Sequence, residues 1–385
     1  MKKIIIALLF MLCSNIAWAA TDSGPELPMD LLDSSSLNNV NHFIQLVNTE
    51  LNEEVPLLTA STMKEIASKG LNFNWQNLST KFLSYFLTEL STNLHLMGKL
   101  LFLAVLCALL QNLQNSFEQS AISLLAYSVC FIFLCVIALS AFYNGLTLAR
   151  ETVNNMVGFM EALLPLLLSL LAGVGALTSA ALLTPLMLLV VSATSVIVKD
   201  VILPLLFLTA LLECVNYLSG KYSLSNLTGV LKQAGMVILG LVLVIFIGIV
   251  SVQGVAGSVA DGLTLRTAKY ATATFIPVVG KMFSDTVELV MGASLLLKNA
   301  VGIFGVSAIA LLCALPLIKL LSLAAIMKIV GALIQPMGDE KMAKCLDSMG
   351  NNLLLVFGAV LTVVLMFFLI VTMIIGVGSV TMMLR

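Results

Sequence analysis

A series of apolar stretches, each about as long as a membrane crossing, runs through most of the chain. A helix needs roughly 20 apolar residues to cross the ~30 Å hydrocarbon core of a bilayer. Stretches of this kind lie at 96–113, 121–143, 159–177, 180–198, 201–218, 234–252, 300–318, 320–335 and 353–377. Several of them are short or interrupted by charge or proline, so some are expected to enter the membrane and return. We therefore predict an all-α, polytopic integral membrane protein with about eight transmembrane or re-entrant helices.

The composition excludes a water-soluble globular protein. Of the 385 residues, 60% are hydrophobic and only 10% are charged, and the mean hydropathy is +1.08. Soluble domains carry about 25% charged residues, which cover their wet surface. The lipid bilayer is therefore the expected solvent of this chain. The net charge of −1 provides no basic patch that could neutralise phosphates, so nucleic acid is excluded as a partner.

The beginning of the chain has the layout of an export signal. Lys2 and Lys3 precede an apolar run over 4–12, and the Ala-Trp-Ala sequence at 17–19 offers small residues at the two positions that a signal peptidase recognises. We predict a signal peptide at 1–19, with an uncleaved membrane anchor as the alternative. In either case the segment that follows begins outside the cytoplasm.

Residues 20–93 form a segment of ordinary polarity with an acidic excess. Apolar residues recur there at helical spacing, first from Val40 to Leu51 and then from Leu78 to Leu90. We predict an extracytoplasmic segment of short amphipathic helices. The first is expected to pack on a partner or on itself, and the second to lie at the membrane interface and lead into the first span. The polytopic membrane domain is then 94–385.

Landmarks in this membrane domain recur in the same order. Gly145 begins a Gly-Leu-Thr-Leu sequence that is followed by Arg150, and Gly262 begins the same sequence followed by Arg266. A pair of prolines 39 residues apart follows each copy, and these prolines are candidate hinges: Pro165 and Pro204, then Pro277 and Pro316. The shared order predicts an internal duplication.

We place the two pseudo-repeats at about 121–232 and 234–377. Repeats that contain proline-interrupted helices are typical of transporters and channel subunits, in which the repeat interface forms a pathway. Coincidence in a leucine-rich composition is the alternative explanation.

Charged residues of the membrane domain are concentrated between 253 and 299, a region that also contains Lys298. On a helix, Lys281, Asp285 and Glu288 share one face. This stripe either lines a pathway or docks a subunit, or it lies at the membrane interface with its charges solvated, and both interpretations remain open. Further candidates for pathway or docking residues are Asp261, Arg266, Lys269, Glu161 and Glu213.

Glu161 and Glu213 differ from the rest of that set because each is a lone carboxylate in or beside an apolar run. An ionisable group inside a membrane is costly, so it indicates a function or a buried partner. Both residues are also near enough to the end of a predicted span to reach water.

The sequence contains no pattern that indicates catalysis. The two histidines, His42 and His95, precede the main membrane region, so there is no HExxH zinc helix and no Ser-His pair within the membrane. There is also no GxxxxGK[ST] phosphate loop. The cysteines lie mostly in apolar runs and are interpreted as small buried hydrophobic residues. We predict that the chain is not an enzyme and holds no cofactor or metal.

One region resembles a known family much more specifically than any short motif. Its four sequences are Ser-Val-Gln-Gly-Val-Ala at 251–256, Ser-Val-Ala-Asp-Gly-Leu-Thr-Leu-Arg-Thr-Ala-Lys at 258–269, Phe-Ile-Pro-Val-Val-Gly-Lys-Met-Phe at 275–283 and Ser-Leu-Leu-Leu-Lys-Asn-Ala-Val-Gly at 294–302. Together with the order of the segments over the whole chain, they resemble the stage III sporulation protein AE family.

The resemblance implies a membrane subunit of the channel complex that joins the mother cell and the forespore of a sporulating bacterium. It also implies a location in the mother-cell membrane around the forespore, a need for this subunit in forespore development, and other stage III sporulation membrane proteins as partners. The family brings no catalytic residues. Two other classes stay open, namely a secondary transporter that works alone and a scaffold that conducts nothing. Self-association also stays open.

Overall fold

A computed structural model describes residues 75–116, 121–218, 224–275, 279–337 and 339–383, together with Asn41 and Gln45. The signal peptide predicted at 1–19 and most of the amphipathic segment predicted at 20–93 lie outside these residues. The described ranges are helical almost throughout and contain no β-strand, which confirms the all-α prediction.

Eight α-helices and two short irregular helices follow one another along the described chain. Their bounds are α1 Trp75–Thr92, α2 Leu94–Ser116, α3 Ala121–Gly173, α4 Leu177–Val196, a π-helical segment Ile197–Ile202, α5 Leu203–Leu218, α6 Ser225–Phe275, α7 Val279–Ile334, a 3-10 turn Gln335–Met337 and α8 Glu340–Met383. The second helix predicted before the membrane domain, over 78–90, is present as α1.

Five stretches of the described chain are long and apolar enough to cross a membrane. They are Leu125–Gly173, Leu177–Leu218, Ser225–Leu263, Val290–Met337 and Glu340–Val377. A sixth combines Phe82–Thr92 with Leu94–Leu110, which meet at a bend of 50° and form either a broken span or a re-entrant loop. The predicted count of about eight is not confirmed.

The difference in count arises because several predicted spans are joined. The stretches 121–143 and 159–177 belong to the single helix α3. Likewise 180–198 and 201–218 form one continuous rod through the π-helical segment, and 300–318 and 320–335 both belong to α7. A charged or polar interruption in the sequence does not by itself end an α-helix, because the backbone hydrogen bonds continue through it.

Two of these polar interruptions lie against each other in space. Arg150 of α3 forms an ion pair with Asp200 of the π-helical segment, with 3.2 Å between Nη2 and Oδ1. Lys199 donates a 2.6 Å hydrogen bond from Nζ to the side-chain oxygen of Asn154, one turn further along α3. The charged residues that separate the predicted spans of α3, and those of the stretch from α4 through α5, are therefore in contact with each other in the structure.

The most extensive packing is between α7 and α8, with α3 packed on both of them. Small residues permit the close approach of α7 and α8 near their connection: Gly331 faces the carbonyl oxygen of Ala343, and Gly350 faces that of Ala324. Gly145 of α3 faces Leu353 of α8. These three helices form the centre of the bundle.

The predicted landmarks of a duplication occupy different settings. Pro165 lies inside α3 and is exposed, whereas Pro316 lies inside α7 and is buried. Pro204 is the second residue of α5, directly after the π-helical segment, and Pro277 lies outside the described residues. The structure does not confirm the duplication.

Candidate functional site

Buried polar side chains gather near both ends of the apolar part of α8. Near one end, Asn352 contacts Glu213, and near the other, the carbonyl oxygens of Ile374 and Ile375 contact Lys298. The ~1.5 Å rise per residue of an α-helix separates Asn352 from Ile375 by about 35 Å, close to the ~30 Å of a bilayer core. No charged residue lies between them in the sequence. The bundle thus holds two polar centres separated by one apolar span.

The first centre contains Glu213 of α5 and Asn352 of α8. The amide nitrogen of Asn352 donates a 2.6 Å hydrogen bond to Oε2 of Glu213, and both residues are buried. Burial of a carboxylate is costly unless it receives hydrogen bonds, because the group loses its hydration. The lone carboxylate that the sequence singled out therefore has a specific buried partner.

A cluster of sulfur atoms adjoins Glu213. The thiol of Cys214 lies 3.8 Å from that of Cys345 on α8 and 3.7 Å from the thioether sulfur of Met349. Cys135 of α3 completes a group of three thiols whose sulfur atoms all lie within 4.8 Å of one another. All four side chains are buried, and no cysteine in the described ranges forms a disulfide.

The prediction of buried cysteines is confirmed for Cys107, Cys135, Cys214, Cys313 and Cys345, whereas Cys130 is partly exposed, and the convergence of three thiols was not predicted. The three thiols come from three helices that are far apart in the chain, and the cysteines form no spacing motif in the sequence that would predict their contact. The one local signal is the separation of Cys345 and Met349 by four residues, which places both on the same face of a helix.

Near the other end of the bundle, Asp261 of α6 accepts hydrogen bonds from the first turn of α4. Its Oδ1 lies 2.9 Å from the backbone nitrogen of Thr178, and its Oδ2 lies 3.2 Å from that of Ser179. The first N–H groups of a helix lack partners within the helix, and a negative charge there also interacts favourably with the helix dipole. Because Ala176 at the N-cap of α4 makes no side-chain cap bond, a carboxylate from another helix supplies this cap.

The turn between α3 and α4 is tightly enclosed beside this cap. Gly175 adopts a φ of 92°, a conformation that glycine accepts without steric cost. A Cβ atom at Gly257 of α6 would collide with the side chain of Ser179, and one at Gly173 would lie 2.9 Å from the hydroxyl oxygen of Ser294 on α7. The turn is therefore held from two sides, by α6 and by α7.

Lys298 lies one helical turn beyond Ser294 and is fully buried. Its ammonium group donates to the carbonyl oxygen of Ile375 at 2.9 Å and approaches that of Ile374 at 3.5 Å. Within the described residues no carboxylate oxygen lies within 4.0 Å of it. In the sequence this lysine belongs to the charged region, and its position within an apolar run is the signal that distinguishes it there.

The other predicted candidates are dispersed. Glu161 is exposed on α3, and Arg150 is engaged with Asp200 at the surface. Gly262 is buried beside Asp261. For a further set the structure describes the helical backbone and not the side chains: Arg266 and Lys269 in α6, and Lys281, Asp285 and Glu288 in the first turns of α7.

Comparison with known proteins gives a consistent result over nearly the whole chain. A model of the family described as "Stage III sporulation protein AE (spore_III_AE)" matches residues 58–378. Stage III sporulation protein AE of Bacillus subtilis (strain 168) is 38% identical over 352 residues, which cover 91% of this chain and 88% of that protein. No solved structure matches the chain. The match covers the bundle with both of its polar centres, and the chain belongs to the stage III sporulation protein AE family.

Proposed function

We propose that the chain is a membrane subunit of the channel or secretion-like complex that links the mother cell and the forespore, and that forespore development needs it. Membership of a sporulation family supports the biological role. The proposal places the chain in the mother-cell membrane around the forespore, among other stage III sporulation membrane proteins, and assigns no catalytic activity to it.

The observation that carries a transport role is the buried Lys298. An ammonium group inside a membrane bundle is costly, and replacement of buried charges by apolar side chains of similar volume is often neutral or stabilising. Here the ammonium group is held by backbone carbonyl oxygens of α8 and lies one turn from Ser294. A buried cation of this kind is suited to interact with a transported species or with the machinery that opens a pathway.

Large apolar side chains face outward from α1 and α2 and can contact lipid or a partner helix: Phe82, Leu83, Tyr85, Leu87 and Leu94. α1 also packs on α7, the helix that carries Lys298. A partner that binds α1 would therefore contact a direct neighbour of the helix that holds the buried charge.

A secondary transporter that works alone is the second candidate, and the same buried Lys298 favours it. Ionisable side chains buried inside a membrane bundle often belong to ion pathways and proton relays, and this lysine is buried in that way. The two candidates differ in whether partners are obligatory.

Isolation of the tagged full-length chain from detergent-solubilised sporulating cells separates them. We expect recovery with several other mother-cell sporulation membrane proteins at comparable amounts. Recovery of the chain alone, together with uptake of small metabolites by liposomes that contain only this protein, would establish the transporter instead. Recovery with partners but no movement of any solute through the complex would reduce the chain to a scaffold.

A further inference from the structure

We propose that Cys135, Cys214 and Cys345, with Met349 as the fourth ligand, form a binding site for a soft metal ion, Cu(I). The four sulfur atoms converge from α3, α5 and α8 in a buried position beside Glu213. This inference is independent of the proposed transport role.

The spacing of the sulfur atoms fits a shared ion. A metal–sulfur bond of about 2.3 Å places the ligands of a tetrahedral site about 3.8 Å apart, and those of a trigonal site about 4.0 Å apart. The observed separations are 3.8 Å between Cys214 and Cys345 and 3.7 Å between Cys214 and Met349, and the three thiols lie within 4.8 Å of one another. The separations of Cys214 from Cys345 and from Met349 thus already match those of ligands that share one ion.

The chemistry of the ligand set selects the ion. Thiolate and thioether sulfur atoms are soft ligands that favour Cu(I), whereas Mg²⁺, Ca²⁺ and Mn²⁺ prefer oxygen. The nearest carboxylate, that of Glu213, is hydrogen-bonded to Asn352. Zn²⁺ sites in proteins use Cys, His and carboxylate ligands and not thioethers, so the presence of Met349 favours Cu(I) over Zn²⁺.

Binding at this site involves no change of oxidation state. When a coordinating Sγ bonds to Cu(I) as a thiolate, its S–H bond breaks and the proton passes to solvent, so one proton released for each Cu(I) bound leaves the charge of the site unchanged. The thioether of Met349 binds through a lone pair and releases no proton. The metal enters and leaves as Cu(I).

The site lies near the ends of two of its helices. Cys345 is about 8 Å along α8 from Glu340, and Cys214 is about 6 Å from the last residue of α5, Leu218. The first turn of α8 carries an exposed ion pair between Lys344 and Glu340. The thiols therefore lie on the same side of the long apolar part of α8 as this ion pair.

Titration of the purified full-length protein in detergent with Cu(I), against a chromophoric Cu(I) chelator, tests the proposal. We expect one Cu(I) bound per chain, and at least a hundredfold weaker binding by the C135S/C214S/C345S variant. The matched control is Cys313→Ser, because Cys313 is also buried beside a methionine sulfur, that of Met156, but lies outside the thiol cluster. This control should bind as the unchanged protein does.

Equal Cu(I) binding by the unchanged protein and the triple variant would overturn the proposal, as would preferential retention of Zn²⁺. If the triple variant aggregates, two measurements decide the question without it. The Met349→Leu variant should bind Cu(I) about tenfold more weakly while it elutes as the folded protein does. X-ray absorption of the copper-loaded unchanged protein should show only sulfur ligands at about 2.3 Å, and a shell of nitrogen or oxygen would exclude the site.

Discussion

Glu213 and Asn352 form a 2.6 Å hydrogen bond between α5 and α8 with both side chains buried. The bond joins two helices that are separated in the chain by both α6 and α7. It therefore fixes the register of α8 against α5, which the surrounding apolar contacts alone would leave less well determined, since apolar side chains can exchange neighbours at small cost.

Loss of the Asn352 amide should leave the carboxylate of Glu213 without this donor. We expect Asn352→Leu to lower the free energy of unfolding by about 1–3 kcal/mol, the typical cost of an unsatisfied buried polar group. Thermal unfolding in detergent measures the effect. The double variant Glu213→Leu, Asn352→Leu should recover part of the loss, and a double variant less stable than the sum of the two single changes would contradict the pairing.

Removal of the cap at Asp261 should destabilise the start of α4. Asp261→Ala is expected to cost about 1–2 kcal/mol, because two N–H groups of the first turn lose their acceptor. Asp261→Asn retains one oxygen acceptor and loses the charge that interacts with the helix dipole, so an intermediate cost is expected. Thermal unfolding of the three proteins side by side gives the order, and equal stability of all three would exclude a capping role.

A methyl group at Gly302 should disturb the contact between α7 and α8. The added Cβ would collide with the side chain of Ile375, whereas one at Gly292 on the same helix would meet nothing within 4 Å. Overpacking of a core typically costs about 1–3 kcal/mol. We expect Gly302→Ala to unfold at a lower temperature than the unchanged protein, and Gly292→Ala at the same or a higher one, because alanine favours a helix.

The buried charge of Lys298 should matter for sporulation more than for folding. Lys298→Met keeps the length of the side chain and removes an ammonium group that is costly to bury, so protein level and unfolding temperature should not fall. We expect spore counts to drop at least tenfold. Lys319→Met, an exposed site on the same helix, is the matched control and should sporulate normally. Normal spore counts for Lys298→Met would show that the charge has no function.

The charged stripe on α7 supports a separate experiment. If the stripe lines a pathway or docks a subunit, the double variant Asp285→Asn, Glu288→Gln should abolish spore formation while it inserts and assembles as the unchanged protein does. If the stripe lies solvated at the membrane interface, spore formation should stay normal. Immunoblots of membranes and co-isolation of partners measure insertion and assembly. A loss of protein level would show that these charges serve folding.

The class of fold and the family could be predicted from the sequence. The joining of predicted spans into longer helices and the sulfur cluster could not. The apolar stretches of the sequence mark the helices well, because membrane helices must bury apolar side chains in lipid. The sequence could not show that Arg150 and Asp200 form an ion pair, which lets both charges lie within continuous helical stretches. It also could not show that Cys135, Cys214 and Cys345 meet, since three-dimensional convergence leaves no trace in local periodicity.

The cap at Asp261 also sets how α6 is turned about its own axis. α6 has the smallest buried share among the five long apolar stretches, and much of its apolar surface faces outward. Hydrophobicity alone therefore does not distinguish most rotations of α6 about its axis. A shift of one residue rotates a helix by about 100°, which would carry the carboxylate away from the N–H groups of Thr178 and Ser179. The side chain of Asp261 thereby fixes the rotation of α6 about its own axis, which the apolar residues of α6 alone do not determine.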